Sequence, residues 1–207
     1  MSNLIVLQGI AHVFETVSDH DQPYKCRPSA FRMHQRVDLL FQHEDHGMGG
    51  KVYATTDDGT LKLFQTTKAL AFEATMPITR LCAGLAAMVR KGWCTAGSVQ
   101  FDQWTGPVEN GVQVIDRARL LDVSIGFSGR FPGTVVWLDG DDEYPYQQQA
   151  RALFRTVKAE AERSRSHPSS PIAASASRSH RSQVPVEVST LLAKGRSWFK
   201  GVGECTR

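Results

Sequence analysis

The stretch "RVDLLFQHEDHGMGGKVYAT", residues 36–55, shows a pattern of short apolar runs separated by polar residues that recurs along most of the chain. Two short apolar runs, residues 36–41 and 51–55, flank a polar segment that holds three glycines. Short runs rich in Val, Leu, Phe and Tyr that are bounded by turn residues are typical of β-strands. Glycine adopts the positive φ angles that tight turns need. The stretch therefore predicts two strands joined by a turn.

Similar apolar runs recur along the chain, and turn signals separate them. "DDG" at 57–59 and "ENG" at 109–111 are such signals. The other apolar runs cover residues 4–14, 60–64, 69–75, 98–101, 112–127 and 134–138. Repeated short strands of this kind predict a mainly β domain.

Two segments show helical spacing instead. In residues 79–92 the apolar positions are three or four residues apart, with Thr79 placed to cap the start and Gly92 the end. A second helical pattern runs over residues 146–163, and acidic residues precede its first turn, where the helix dipole favours them. The predicted fold class is mainly β with helices (α+β), in a body that covers residues 1–163 and closes with the second helix.

The net charge of +3 conceals two parts of opposite sign. Residues 1–150 contain 13 basic and 17 acidic residues, whereas residues 151–207 contain 11 basic and 4 acidic ones. Residues 164–185 are rich in Ser and Pro and have little to bury, which predicts a disordered linker. Residues 186–207 follow as a basic amphipathic tail, interpreted either as a docking peptide or as a plain solvated C-terminus.

The spacing of the cysteines and the hydropathy of the chain indicate in which cellular compartment the protein is expected. The four cysteines are far apart and form no CxxC pair, so neither a zinc knuckle nor a thiol redox motif is indicated. No run of about 18 apolar residues occurs, and the N-terminal residues lack the basic start of a signal peptide. We expect a soluble, non-secreted protein with reduced thiols and no membrane partner.

The segment "HEDH", residues 43–46, has side chains that can bind metal ions. A zincin-type helix places two residues between its glutamate and its second histidine, so that both imidazoles share one face. Here only Asp45 intervenes, and no third, distant ligand stands out. The alternative is a solvated turn, an interpretation that also covers the other histidines, including His12. We predict neither a metal nor a cofactor.

A serine nucleophile is the second chemical possibility. Ser98 begins a short strand directly after the predicted helix, and Gly97 permits close backbone approach there. A serine hydroxyl needs a neighbouring base, which His43 can supply, and a polar group that orients the base. Asp122 interrupts an apolar strand, where an unpaired carboxylate is costly, so we expect it to have a partner such as an imidazolium. The competing interpretations are a structural serine and a solvent-facing aspartate.

Five motifs, which together cover roughly residues 5–140, are "GIAHVFET", "KCRPSAFRMHQRVDLLFQHEDHGMGGKV", "DGTLKLFQTTKALAFEATMP", "GSVQF" and "ARLLDVSIGFSGRFPGTVVWL". Together they resemble the prohead (capsid maturation) proteases of tailed bacteriophages. That family is similar in fold to the herpesvirus assemblins. The resemblance implies a closed or partly open antiparallel β-barrel surrounded by a few helices.

The resemblance also implies site residues. The family's catalytic histidine matches His43, its nucleophile matches Ser98 in "SVQF", and its late-strand acid matches Asp122. Ser124 in "SIGF" copies the nucleophile motif and is a rival to Ser98. Arg130 is a candidate contributor to the oxyanion hole.

The implied activity is that of a serine endopeptidase of capsid assembly. Such an enzyme cleaves the scaffold protein or the scaffold domain of the major capsid protein, and often itself, inside the procapsid in the host cytoplasm. A homodimer is a further expectation, and neither nucleic acid nor a membrane is implied. The alternative is a non-catalytic capsid-assembly or scaffold component that has kept the fold. Gln100 favours that alternative, because the family usually has glycine at this position.

Overall fold

A computed structural model describes residues 4–19, 21–33, 35–43, 51–129 and 131–166. It contains two α-helices, α1 (Arg80–Arg90) and α2 (Gln148–Ser166), with a 3₁₀ turn, Pro145–Gln147, ahead of α2. The strands are β1 (Leu4–Val13), β2 (Tyr24–Cys26), β3 (Phe31–Arg32), β4 (Asp38–Phe41), β5 (Ala54–Thr55), β6 (Leu61–Gln65), β7 (Ala69–Pro77), β8 (Ala96–Thr105), β9 (Val108–Glu109), β10 (Val112–Ile115), β11 (Arg117–Gly126) and β12 (Val136–Leu138). The mainly β, α+β fold class is confirmed for the described residues.

The ends of α1 follow from its capping residues. Thr79 precedes the helix in an extended conformation, and its Oγ1 accepts a hydrogen bond from the Cys82 backbone N–H at 3.1 Å. This bond satisfies one of the amide groups that have no partner within the first turn. Gly92 lies just beyond the helix with φ of 71°, a value that glycine adopts without strain. Both predicted caps are confirmed.

The first sheet has the strand order β12-β1-β7-β6, and all neighbouring pairs in it are antiparallel. α2 packs on this sheet through Phe154, whose ring lies edge-on to those of Trp137 and Phe64, with centroid distances of 5.5 and 6.2 Å. Ile10, Ala71 and Val157 complete the same apolar cluster. α2 therefore buries its apolar face against this sheet.

The second sheet carries the candidate site and is built around β11. β8 pairs with β11 in antiparallel fashion along one edge. Along the other edge, β3 and β4 pair with successive parts of β11, and both are parallel to it. β5 continues the sheet beyond β4 as an antiparallel neighbour, so the two strands predicted from residues 36–55 are paired. A third, smaller sheet has the order β2-β10-β9.

The antiparallel barrel implied by the resemblance is not confirmed. The described strands form three sheets, and no closed ring of paired strands occurs among them. Moreover, β11 has two parallel partners, and β2 is parallel to β10. Alternating apolar residues specify which face of a strand is buried, but they do not specify the direction of its neighbour. The sequence pattern therefore could not distinguish these pairings.

The two larger sheets approach each other closely where β1 packs against the start of β8. A methyl group at Gly97 would lie 2.5 Å from the carbonyl oxygen of Ile10 and 3.1 Å from the Cα of Ala11. Only a residue without a side chain fits this contact, as predicted. The core beside it is apolar and includes Leu7, Phe72, Leu120, Val123 and Ile125.

The body ends in α2, which continues to Ser166 and so extends past the predicted boundary at residue 163. Residues 167–207 lie outside the described residues. The division into linker (164–185) and tail (186–207) therefore stays a prediction. Neither described helix is long and apolar enough to cross a membrane.

Candidate active site

His43 lies two residues beyond the end of β4, at a turn with an uncommon backbone geometry. The Gln42 N–H donates to the Ile125 carbonyl oxygen at 2.9 Å, so the pairing with β11 continues one residue beyond the strand. Gln42 and His43 then have φ of 51° and 54°. This left-handed conformation is uncommon for residues other than glycine and is often found at functional sites. The predicted turn glycines lie outside the described residues.

Ser98 and Asp122 lie on the same face of the second sheet. In the antiparallel pair of β8 and β11, Ser98 is opposite Ser124, and Gln100 is opposite Asp122. Opposed residues, and residues two apart on one strand, project from the same face. Ser98 and Asp122 therefore occupy diagonal positions on this face, at a separation that one aromatic side chain can span.

The His43 imidazole spans that diagonal. Its Nδ1 lies 2.5 Å from Asp122 Oδ1, and its Nε2 lies 2.9 Å from Ser98 Oγ. Because an ionised carboxylate only accepts hydrogen bonds, Nδ1 carries the ring hydrogen and Nε2 is left to accept from the Ser98 hydroxyl. The structure thus places Ser98, His43 and Asp122 in one hydrogen-bonded path, which is the arrangement that a serine nucleophile, its base and an orienting acid require.

The three side chains differ in how deeply they are buried. Asp122 is fully buried, the side chain of His43 is 27% exposed, and Ser98 is half-buried. A buried carboxylate needs a hydrogen-bonded partner that can carry the opposite charge, and an imidazole becomes such a partner when it takes a proton. Ser98 therefore lies at the opposite end of the hydrogen-bonded path from the fully buried Asp122.

Ser124, the rival nucleophile, has a different environment. Only 1% of it is exposed, whereas Ser98 is half-buried. Its Oγ has no hydrogen-bond partner within the described residues. Of the two serines, Ser98 is therefore the one that is both accessible and bonded to His43.

Asp38 is a second buried carboxylate, and it was not among the residues predicted from the sequence. It lies on β4 in register with Asp122 on β11. Its Oδ1 accepts a hydrogen bond from Arg36 Nε at 2.7 Å, which offsets its charge beside Asp122. A signal was present, because Asp38 interrupts the apolar run "RVDLLF" in the same way that Asp122 interrupts "LLDVS".

Two predicted residues lie outside the described residues: Arg130, the oxyanion candidate, and His46 of the "HEDH" segment. Gln100 is exposed on the face that carries Ser98. In the part of the chain that the structure describes, no group of three His, Cys, Asp or Glu side chains is arranged to hold a metal ion.

The prediction that His12 lies in a solvated turn is wrong. It lies in β1 and is fully buried, with its ring centroid 4.3 Å from that of Phe131 and 5.3 Å from those of Phe14 and Phe31. Burial lowers the pKa of His12 to about 3, so the ring is neutral at pH 7. The apolar run around it, "LIVLQGIAHVF", was the sequence signal for a core position.

The sequence matches no protein-family model and no curated protein. Among solved structures, the chain is similar to a crystal structure of KSHV protease in complex with a hexapeptide phosphonate inhibitor, with a TM-score of 0.46 and 14% sequence identity. The match covers 80% of this chain and 76% of that chain. A similarity this low carries no functional argument, so the activity must be derived from the geometry of the site.

Proposed function

We propose that the protein is a serine endopeptidase in which Ser98 is the nucleophile, His43 the general base and Asp122 the orienting acid. The observation that carries the proposal is the continuous hydrogen-bonded path from Asp122 through His43 to Ser98, with distances of 2.5 and 2.9 Å. Activation of a serine hydroxyl requires this combination of groups within hydrogen-bonding distance.

The geometry supports the following steps. Ser98 Oγ attacks the scissile carbonyl carbon while His43 Nε2 takes the hydroxyl hydrogen, and Asp122 stabilises the imidazolium. The imidazolium then gives this proton to the amine nitrogen, which leaves as the C–N bond breaks, and an ester remains on Ser98. His43 next takes a proton from a water molecule, whose oxygen attacks the ester carbon. The bond between this carbon and Ser98 Oγ then breaks, His43 Nε2 returns the proton to Ser98 Oγ, and the acid is released.

The negative oxygen that forms during each attack needs hydrogen-bond donors, and each such donor contributes about 3–4 kcal/mol to the transition state. We propose Arg130 as a contributor, since it follows β11 by four positions and the resemblance implies an arginine in this region. Replacement of Arg130 by alanine should lower kcat and leave KM unchanged. A change in KM alone would contradict this role.

We further propose, from the prohead-protease motifs, that the substrates are the capsid scaffold protein or the scaffold domain of the major capsid protein. The protein would then act inside the procapsid in the host cytoplasm, as a candidate homodimer, without nucleic acid or a membrane. We propose the Ser-rich stretch 164–182 as a candidate site of self-cleavage, because its composition leaves little to bury.

An active-site probe tests the activity without knowledge of the substrate. The full-length protein is treated with a biotinylated fluorophosphonate, which forms a bond between phosphorus and an activated serine oxygen as fluoride leaves. Peptide mass mapping should find the adduct on Ser98 in the wild type and in Ser124→Ala, and no adduct in Ser98→Ala. An adduct on Ser124 would assign the nucleophile to that residue. No adduct in the wild type would favour the non-catalytic assembly component.

A second experiment tests the substrate class. The wild type and Ser98→Ala are each incubated with a capsid-scaffold polypeptide from the same source, and intact masses are measured. Fragments are expected from the wild type alone, and a metal chelator should leave them unchanged. If an active, probe-labelled wild type yields no fragments, the peptidase proposal stands and the scaffold substrate is wrong.

A further inference from the structure

Ser124 lies next to the proposed nucleophile and has a buried hydroxyl group, which costs folding free energy when it has no hydrogen-bond partner. It is 1% exposed, and its Oγ has no hydrogen-bond partner within the described residues. Buried hydroxyl groups in folded proteins are nearly always hydrogen-bonded. A hydroxyl that is buried without a partner loses the hydrogen bonds that it makes to water in the unfolded chain, which lowers the stability of the fold. An alanine at this position would avoid that cost, so the hydroxyl needs another explanation.

The position of Ser124 indicates where a partner can arise. Ser124 on β11 is directly opposite Ser98 on β8, and both residues project from the face that carries Asp122. Opposed residues in an antiparallel pair have Cβ atoms about 4.5–5.5 Å apart, and serine and threonine pairs in such positions form hydrogen bonds. At this spacing, rotation about the Cα–Cβ bond of Ser124 is the motion that would bring its hydroxyl towards Ser98 Oγ.

We propose that Ser124 is a positioning residue whose hydroxyl group donates a hydrogen bond to Ser98 Oγ during the attack on the substrate. This inference rests on the proposed peptidase activity. As the Ser98 O–H bond breaks, its proton moves to His43 Nε2 and the electron pair of the oxygen forms the bond to the substrate carbon. The Ser124 hydrogen stays on Ser124 throughout. The donation stabilises the negative charge that develops on the Ser98 oxygen before its new bond is complete.

This role predicts opposite effects on stability and rate. Ser124→Ala removes a buried hydroxyl that has no hydrogen-bond partner among the described residues, so Tm should be unchanged or raised. The same change removes one hydrogen bond from the transition state, which should slow the chemical step by about tenfold. A purely structural serine would behave differently, since its loss would lower Tm.

The experiment measures fluorophosphonate labelling of Ser98 as a function of probe concentration, together with Tm, in the full-length protein. We expect Ser124→Ala to lower the maximal labelling rate by about tenfold, to leave the half-saturating probe concentration unchanged, and to keep or raise Tm. The matched control is Ser18→Ala, since Ser18 is also buried but its Oγ accepts a hydrogen bond from the Tyr24 N–H at 3.0 Å. That control should lower Tm and leave the labelling rate unchanged.

The outcomes separate the two proposals. A wild-type labelling rate in Ser124→Ala, or a slower rate accompanied by a lower Tm, would overturn the role of Ser124 and leave the peptidase proposal intact. Absence of labelling at Ser98 in the wild type would overturn both.

Discussion

Asp122 is the residue on which the proposed chemistry depends most. It is fully buried, and its hydrogen bond to Nδ1 sets the tautomer of His43. In Asp122→Asn the side-chain NH₂ donates instead, so Nδ1 becomes the acceptor, the ring hydrogen moves to Nε2, and the base is lost. We expect the labelling rate of Ser98 to fall by about 10⁴-fold.

The matched control for this change is Asp102→Asn. Asp102 also lies in the second sheet, but it is partly exposed and its ion-pair partner is Arg119. Its labelling rate should stay at the wild-type value. Equal rates in Asp122→Asn and the wild type would contradict the orienting role.

His12 makes a separate prediction about acid stability. Burial lowers its pKa to about 3, against about 6.5 in an unfolded chain. Between these values the unfolded state binds a proton and the folded state does not, so folding stability falls as pH decreases from about 6.5 to about 3. At pH 5 the loss from this residue alone is about 2 kcal/mol.

His12→Phe removes the group that binds a proton in the unfolded state, and a phenylalanine ring suits the aromatic side chains around this position. The urea midpoint should therefore fall less between pH 7 and pH 5 in the variant than in the wild type. Equal falls in both proteins would show that His12 takes up a proton in the folded state as readily as in the unfolded one.

At the scale of elements, the contact between β1 and β8 determines where Ser98 lies. Gly97→Ala would place a methyl group 2.5 Å from the Ile10 carbonyl oxygen, and one of the two backbones would have to move. We expect a loss of about 1–3 kcal/mol in unfolding free energy and a large drop in Ser98 labelling.

Gly84→Ala is the matched control for the glycine change. Gly84 lies within α1, and an added Cβ there would meet no atom within 4 Å. Because alanine favours helix, this variant should gain about 0.5–1 kcal/mol and keep its labelling rate. A Gly97→Ala protein as stable and as reactive as the wild type would mean that the two strands do not need this close approach.

At the scale of the whole molecule, α2 is held to the first sheet by an ion pair as well as by apolar contacts. Lys158 Nζ lies 2.7 Å from Glu73 Oε2 on β7. Burial alone would raise the pKa of Glu73, but hydrogen bonds from Lys158 and Gln8 bring it below its ordinary value. Lys158→Met keeps the apolar stem and leaves the carboxylate without this partner, which should cost about 1–3 kcal/mol in a urea titration.

Lys68→Met is the matched control, since Lys68 pairs with Glu160 of α2 at 2.9 Å but is half exposed. Exposed ion pairs contribute little, so its effect should be below about 1 kcal/mol. Equal losses in both variants would indicate that the burial of Glu73 does not strengthen its pair.

The local features of the site could be predicted from the sequence. Thr79 and Gly92 fixed the ends of α1 because capping depends on neighbours along the chain. Asp122 was expected to have a partner because a charge inside an apolar strand is costly. Applied to "RVDLLF", the same reasoning would also have found Asp38.

The sequence by itself determined that the protein is mainly β with helices and which residue types were available for serine chemistry, because these depend on short-range periodicity and on residue identity. Only the tertiary structure decided that β4 and β11 are parallel, that Gln42 and His43 have positive φ angles, and that Ser124 is buried opposite Ser98. His43 lies 55 residues from Ser98 and 79 from Asp122 along the chain. Contacts over such separations arise from strand pairing and sheet packing, which local patterns do not encode.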